Sequence, residues 1–119
     1  MPSKTHTVQT NSGEPAVADL GGVETGGPSG VLWGLDSPEL NANLVKLQPG
    51  NEIGEHVVDL DVFVMVRSGT GELAIDGVRY ELDNDSVALI PAGATRSIST
   101  VTGMVYMTCH QRRGLPTIA

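Results

Sequence analysis

The sequence predicts an all-β domain, a small antiparallel sandwich or barrel behind a flexible N-terminal arm. Three observations lead there. From Gly30 onward, seven or more short runs of strand-forming residues are broken by Gly, Pro, Asn and Asp about every 8 to 12 residues. No stretch carries the 3.6-residue apolar period of an amphipathic helix. Asp76-Gly77, set between two of the runs, is the dipeptide that closes a two-residue hairpin, a turn only antiparallel strands use.

Residues 1–29 are rich in Gly, Ser, Thr and Pro, and "GGVETGGPSG" reads as flexible linker. They form an arm that is either a disordered tail or draped over the domain or a partner; its His6 is read as solvated. The β-domain then occupies residues 30–119. "GVLWGL" is its first strand, turned by Asp36, Ser37 and Pro38, and "NANLVKLQ" runs to the turn pair Pro49-Gly50. "VFVMVR" (62–67) is apolar on both faces, as in a strand covered from both sides. "SGTGELAID" enters the Asp76-Gly77 hairpin and "VRYEL" returns from it. After the turn "DND", "SVALIPAG" is a strand stopped at Pro91 and Gly93, and "TRSIST" and "GMVYMTCHQ" supply two more.

Composition excludes several functions. The chain has 119 residues, enough for one domain, with 39% hydrophobic and 18% charged residues. Its aromatics are Trp33, Phe63, Tyr80 and Tyr106, too few for a base-stacking platform, and its net charge of −7 offers no surface for polyphosphate. Nucleic acid is therefore not an expected partner. Cys109, the single cysteine, cannot form an intramolecular disulfide and reads as a small buried hydrophobe. His110 beside it would point to the opposite face of a strand. No apolar run reaches the roughly 18 residues of a membrane span, and the N-terminus lacks the apolar core of a signal peptide. The expected location is the cytoplasm.

Two stretches carry a more specific signal. In "GNEIGEHVVDLDVFVMVRSG", Gly50 is followed by five residues and His56, and the segment closes on Gly69. In "DSVALIPAGATRSIST", Pro91 and Gly93 precede Arg96 and Thr100. With the short hairpin segment between them, these resemble the two motifs of the cupin superfamily, over roughly residues 30–112. The resemblance implies a jelly-roll β-barrel. It also implies four metal-ligand positions, three histidines and a glutamate, and here they hold His56, Val58, Val62 and Arg96. Thr100 stands where the second motif has asparagine.

One histidine cannot hold a divalent metal tightly, since such sites take at least three protein ligands. A guanidinium at ~4 Å would also oppose each unit of metal charge by about 4 kcal/mol at an effective dielectric of 20. No cofactor is expected. If Fe, Mn, Ni or Zn is held, the set would be His56 with Asp61 or His110, which requires a bulge between 58 and 62 to turn Asp61 inward.

The expected pocket consists of His56, Arg96, Val58, Val62 and Tyr106, within an apolar cup that takes in Leu44, Val64, Val66, Ile98 and Met104. Arg96 there either pairs with Asp59 or Asp61 or binds an anionic ligand through its bidentate fork. The expected function is a metal-free module that either binds or senses a small ligand, an anionic one if Arg96 holds it, or is purely structural. The alternative is a metal-dependent enzyme of dioxygenase or isomerase type. A third reading is catalysis without metal, with His56 as general base and Arg96 holding an oxyanion. The resemblance, and strands apolar on both sides, imply a homodimer.

Overall fold

A computed structural model describes residues 6–112. Its elements in chain order are β1 (His6–Gln9), a 3-10 turn (Leu20–Gly22), β2 (Gly30–Asp36), β3 (Leu40–Leu47), β4 (Glu52–Val57), β5 (Val62–Gly69), β6 (Gly71–Ile75), β7 (Val78–Leu82), β8 (Val87–Ile90), β9 (Thr95–Ser99) and β10 (Met104–Gln111). Every strand expected from the sequence is present. β1 and β4 were not expected. β4 is exposed along its whole length, so no burial pattern marks it in the sequence.

The strands form two sheets, a larger one ordered β1-β2-β3-β10-β5-β8 and a smaller one ordered β4-β9-β6-β7. Pairing is antiparallel except for β1, which lies parallel to β2 with His6 opposite Trp33 and Gln9 opposite Asp36. The sheets make the jelly roll expected, as an open sandwich whose two sheets do not close into a barrel. Part of the arm, residues 6–9, is thus a sheet strand. Residues 1–5 of the arm and 113–119 of the domain lie outside the described residues.

Between the sheets lies one aliphatic core, with Leu47, Val62, Val64, Val66, Leu73, Leu82, Ile90 and Ile98 at its centre. Strand alternation explains its membership: on β5, Val62, Val64 and Val66 are buried while Phe63 and Met65 stay exposed on the other face. A second cluster, Leu32, Leu44 and Val105, sits on the outer face of the larger sheet, covered by Leu20 and Val23 from the N-terminal segment. Leu44 was expected in the cup. The run Leu44-Val45 is apolar at both parities, and the register puts Val45, opposite Tyr106, on the inner face instead. Val66 and Met104 are core residues rather than cup residues.

Turn chemistry follows the sequence. Asp76 (φ 49°) and Gly77 (φ 83°) both take the left-handed backbone of a two-residue hairpin between β6 and β7. Gly69 (φ 92°) is fixed by crowding as well: a Cβ there would stand 2.2 Å from the Gly103 carbonyl oxygen. Thr100, buried beside this crossing, donates from Oγ1 to the Thr70 carbonyl (2.6 Å) and accepts from the Gly103 N–H (2.8 Å). It joins the end of β9 to the links on either side.

Candidate functional site

His56 and Arg96 meet because β4 pairs with β9. The ladder between them shifts register between Ile53 and His56, and the shift sets His56 directly opposite Arg96. Directly opposed residues share a face, with Cβ atoms roughly 4.5–5.5 Å apart. The register irregularity thus lies at residues 53–56, not at 58–62 where an inward Asp61 would need it.

Both side chains line a cavity of about 350 Å³ between the sheets. Its apolar walls include Val45, Val58, Val62, Val64, Leu73, Ile90 and Ile98, and its polar groups are His56, Arg96, Tyr106, Thr108 and His110. All five residues expected in the pocket border this one space. Val45, Leu73, Ile90 and Thr108 were not anticipated there; Leu73 follows from alternation along β6, whereas β3, β8 and β10 carry apolar residues at both parities and only pairing with their neighbours decides. Cys109 faces the other way, half-buried on the outer surface.

Arg96 is buried, at 4% exposed. Its Nε donates to the Ala94 carbonyl (3.1 Å) and a terminal nitrogen to the Pro91 carbonyl (3.3 Å). The turn that offers these carbonyls is itself pinned. Gly93 donates its N–H to the Val58 carbonyl (2.8 Å), and Ala92 donates to Asp61 Oδ1 (2.8 Å). Asp61 is therefore an exposed anchor of the turn and not a cavity carboxylate, which corrects its place in a displaced metal set.

Among the described residues the salt bridges are Arg79–Glu72 (3.6 Å) and Arg112–Asp36 (3.5 Å), and Arg96 joins neither. Burial lowers the Arg96 pKa, and the field of Asp76 opposes that shift in part. Arginine still remains a cation at any ordinary pH. The result is a buried guanidinium held by two neutral carbonyls, beside an apolar space. Burial also pushes the Tyr106 phenol up to about 12, so it stays a neutral O–H donor at ordinary pH.

The His56 ring is oriented by Nδ1, 2.9 Å from the Gly54 carbonyl, and the His110 ring by Nδ1, 2.7 Å from the Gln111 carbonyl. A carbonyl only accepts, so each Nδ1 carries the hydrogen and Nε2 is the accepting nitrogen of the neutral ring. Two imidazoles fall short of the three ligands a tight site takes. No group of three His, Cys, Asp or Glu comes together among the described residues, and Arg96 sits in the same cavity. The donors among the described residues do not fit a divalent ion.

No protein-family model matches the sequence, and no curated protein does. Solved structures do. A conserved protein of unknown function from Streptococcus pyogenes matches with a TM-score of 0.66 and 24% identity, over 89% of this chain and 95% of that one. The cupin domain of Schizosaccharomyces pombe Cnp3 matches with a TM-score of 0.57 and 19% identity, over 62% of this chain and 57% of that one. A salicylate 1,2-dioxygenase from Pseudaminobacter salicylatoxidans matches with a TM-score of 0.61 and 18% identity, over 62% of this chain but 21% of the enzyme. At these identities the likeness is one of fold, and the fold is the cupin jelly roll. It is shared by a dioxygenase and by a protein of unknown function.

Proposed function

We propose that this cupin-fold chain is a metal-independent binding module for a small organic anion. The anionic group sits on Arg96 and the apolar body fills the cup. The observation that carries this reading is the buried guanidinium, whose described partners are two backbone carbonyls and no carboxylate. A buried cation without an ion-pair partner is costly, and the field of Asp76 offsets the burial of Arg96 only in part. A planar fork beside an apolar cavity matches a carboxylate, which would supply the missing counter-charge. His56 Nε2 can accept a hydrogen bond from the ligand, and the Tyr106 hydroxyl can donate one. The cavity of about 350 Å³ lies at the small end of ligand sites, which run from roughly 300 to 1,000 Å³.

Titration calorimetry against short aliphatic and aromatic monocarboxylates, each paired with its neutral primary amide, tests the reading. Saturable binding of acids and not of their amides is the expected result. Amides binding as well as acids would refute it. The alternative of a metal-dependent enzyme is tested in the same protein by adding Fe, Mn, Ni or Zn. Stoichiometric uptake that disappears in His56→Ala would establish that alternative and remove the metal-independent one.

A further inference from the structure

Arg96 and His56 occupy one rung of the β4–β9 ladder and offer opposite halves of a hydrogen bond. The guanidinium only donates, since it has no acceptor atom. The neutral His56 ring is left to accept. Its Nδ1–H is taken by the Gly54 carbonyl (2.9 Å), which leaves Nε2 on the other edge of the ring. Directly opposed residues have Cβ atoms roughly 4.5–5.5 Å apart, so the two groups start side by side on one wall of the cup. They differ in depth as well. Arg96 is buried and His56 is exposed, so the donor lies deep and the acceptor at the mouth.

We infer that the cup takes a 2-hydroxy monocarboxylate. Its carboxylate sits on Arg96, the hydroxyl of the adjoining carbon donates to His56 Nε2, and an aliphatic body fills the apolar walls. This rests on the reading of Arg96 as the anchor of an anion, and adds what the neighbouring residue on the rung selects. A carboxylate satisfies donors but brings no hydrogen of its own. The acceptor beside Arg96 calls for a hydrogen on the same ligand, close to the carboxylate, and a hydroxyl on the next carbon is the nearest neutral group that supplies one. His110 offers an accepting Nε2 too, but it stands on β10 in the facing sheet, roughly 10 Å across a sandwich. Tyr106 and Thr108 lie on that same strand, and their hydroxyls can both donate and accept, so they select less.

The same pair discriminates against close analogues. A 2-oxo acid presents a second acceptor to Nε2, and two lone pairs then face each other with no hydrogen between them. A 2-amino acid carries hydrogens, but as an ammonium, a second cation beside a buried guanidinium. A 2-methoxy acid keeps the oxygen and loses the hydrogen. Of these four groups the hydroxyl alone combines a hydrogen with no charge. Holding also becomes chiral. Carboxylate, hydroxyl and aliphatic body are each fixed by a different part of the cup, namely Arg96, His56 and the apolar walls around Val58, Val62 and Ile98. Three fixed groups on one carbon admit one hand of the ligand.

Titration calorimetry of the full chain at about pH 8, above the ordinary range of imidazole protonation, gives the test. The probes are 3-methylbutanoate and its 2-hydroxy, 2-methoxy, 2-oxo and 2-amino forms. One enantiomer of the hydroxy acid should bind roughly 3- to 10-fold more tightly than the unsubstituted acid, as one net hydrogen bond provides. The other enantiomer and the other three forms should show no such gain. In His56→Phe, which keeps a ring and has no acceptor, the ratio of hydroxy to unsubstituted affinity should fall to about one. A ratio measured within one variant cancels any general loss of affinity, and the wild-type comparison with the methoxy acid needs no variant at all. Acids that bind with no preference for the hydroxyl, or methoxy and oxo forms that match it, would overturn the inference and leave the anion site standing. Binding of none of the acids would overturn both. A preference that persists in His56→Phe would overturn it as well, since the hydroxyl would then lie on another group.

Discussion

Arg96→Met separates the two roles an arginine in this position can have, because each predicts its main loss in a different assay. The substitution keeps much of the side-chain volume and removes the charge. It loses two hydrogen bonds from a charged donor, to Ala94 and Pro91, worth about 1.5–3 kcal/mol each. Pro91 is exposed and its carbonyl can turn to water, whereas Ala94 is buried and an unpaired carbonyl there costs about 1–3 kcal/mol. Against these stands the release of a buried guanidinium with no carboxylate partner, several kcal/mol in the other direction. The lost bonds, about 3–6 kcal/mol with the Ala94 penalty counted within them, and the relieved burial are of similar size, so stability changes by about 3 kcal/mol or less. Ligand binding, in contrast, loses its charged anchor, about 1.5–3 kcal/mol or roughly 10- to 150-fold in Kd. Urea unfolding and carboxylate titration on the same variant supply both numbers. A loss of more than about 4 kcal/mol in stability with unchanged affinity would falsify the reasoning and make Arg96 a structural residue.

Three further outcomes follow from particular contacts. Tyr106 holds its proton more tightly folded than unfolded, so the native state binds the extra proton between about pH 10 and about 12. Its contribution is complete below pH 10 and is lost as pH rises through 12, by roughly 2–3 kcal/mol; alkaline unfolding of Tyr106→Phe should lack that part of the decline. Gly69→Ala forces a methyl against the Gly103 carbonyl at a left-handed φ, and should cost more than about 3 kcal/mol in urea unfolding. A loss under about 1 kcal/mol would show that the crossing yields. Thr100→Val keeps the shape but leaves the Thr70 carbonyl and the Gly103 N–H without their buried partner, for about 1–3 kcal/mol. A neutral result in thermal unfolding would show that water replaces it.

The sequence by itself determined the elements that depend on local chemistry. Asp76-Gly77 specified a hairpin because few residues accept positive φ, and the alternation of Val62, Val64 and Val66 specified a strand with a buried face. The sequence also placed Val58 and Val62 at two of the four positions where the resemblance implies metal ligands, and a valine side chain has no donor atom. Tertiary structure decided everything that depends on register. His56 faces Arg96 because the β4–β9 ladder shifts at Ile53, and no property of either segment alone encodes that shift. Asp61, a candidate metal ligand in the sequence, became the anchor of a turn because its partner, the Ala92 N–H, lies 31 residues later in the chain. Leu44 and Val45 exchanged places for a related reason. A strand presents alternate residues to opposite faces, so when both parities are apolar only the neighbouring strand settles which one enters the cup. The open sandwich, and the exposure of Phe63, Met65, Val87 and Leu89 on its outer face, likewise come from which strands lie side by side. Pairing is a property of the whole chain.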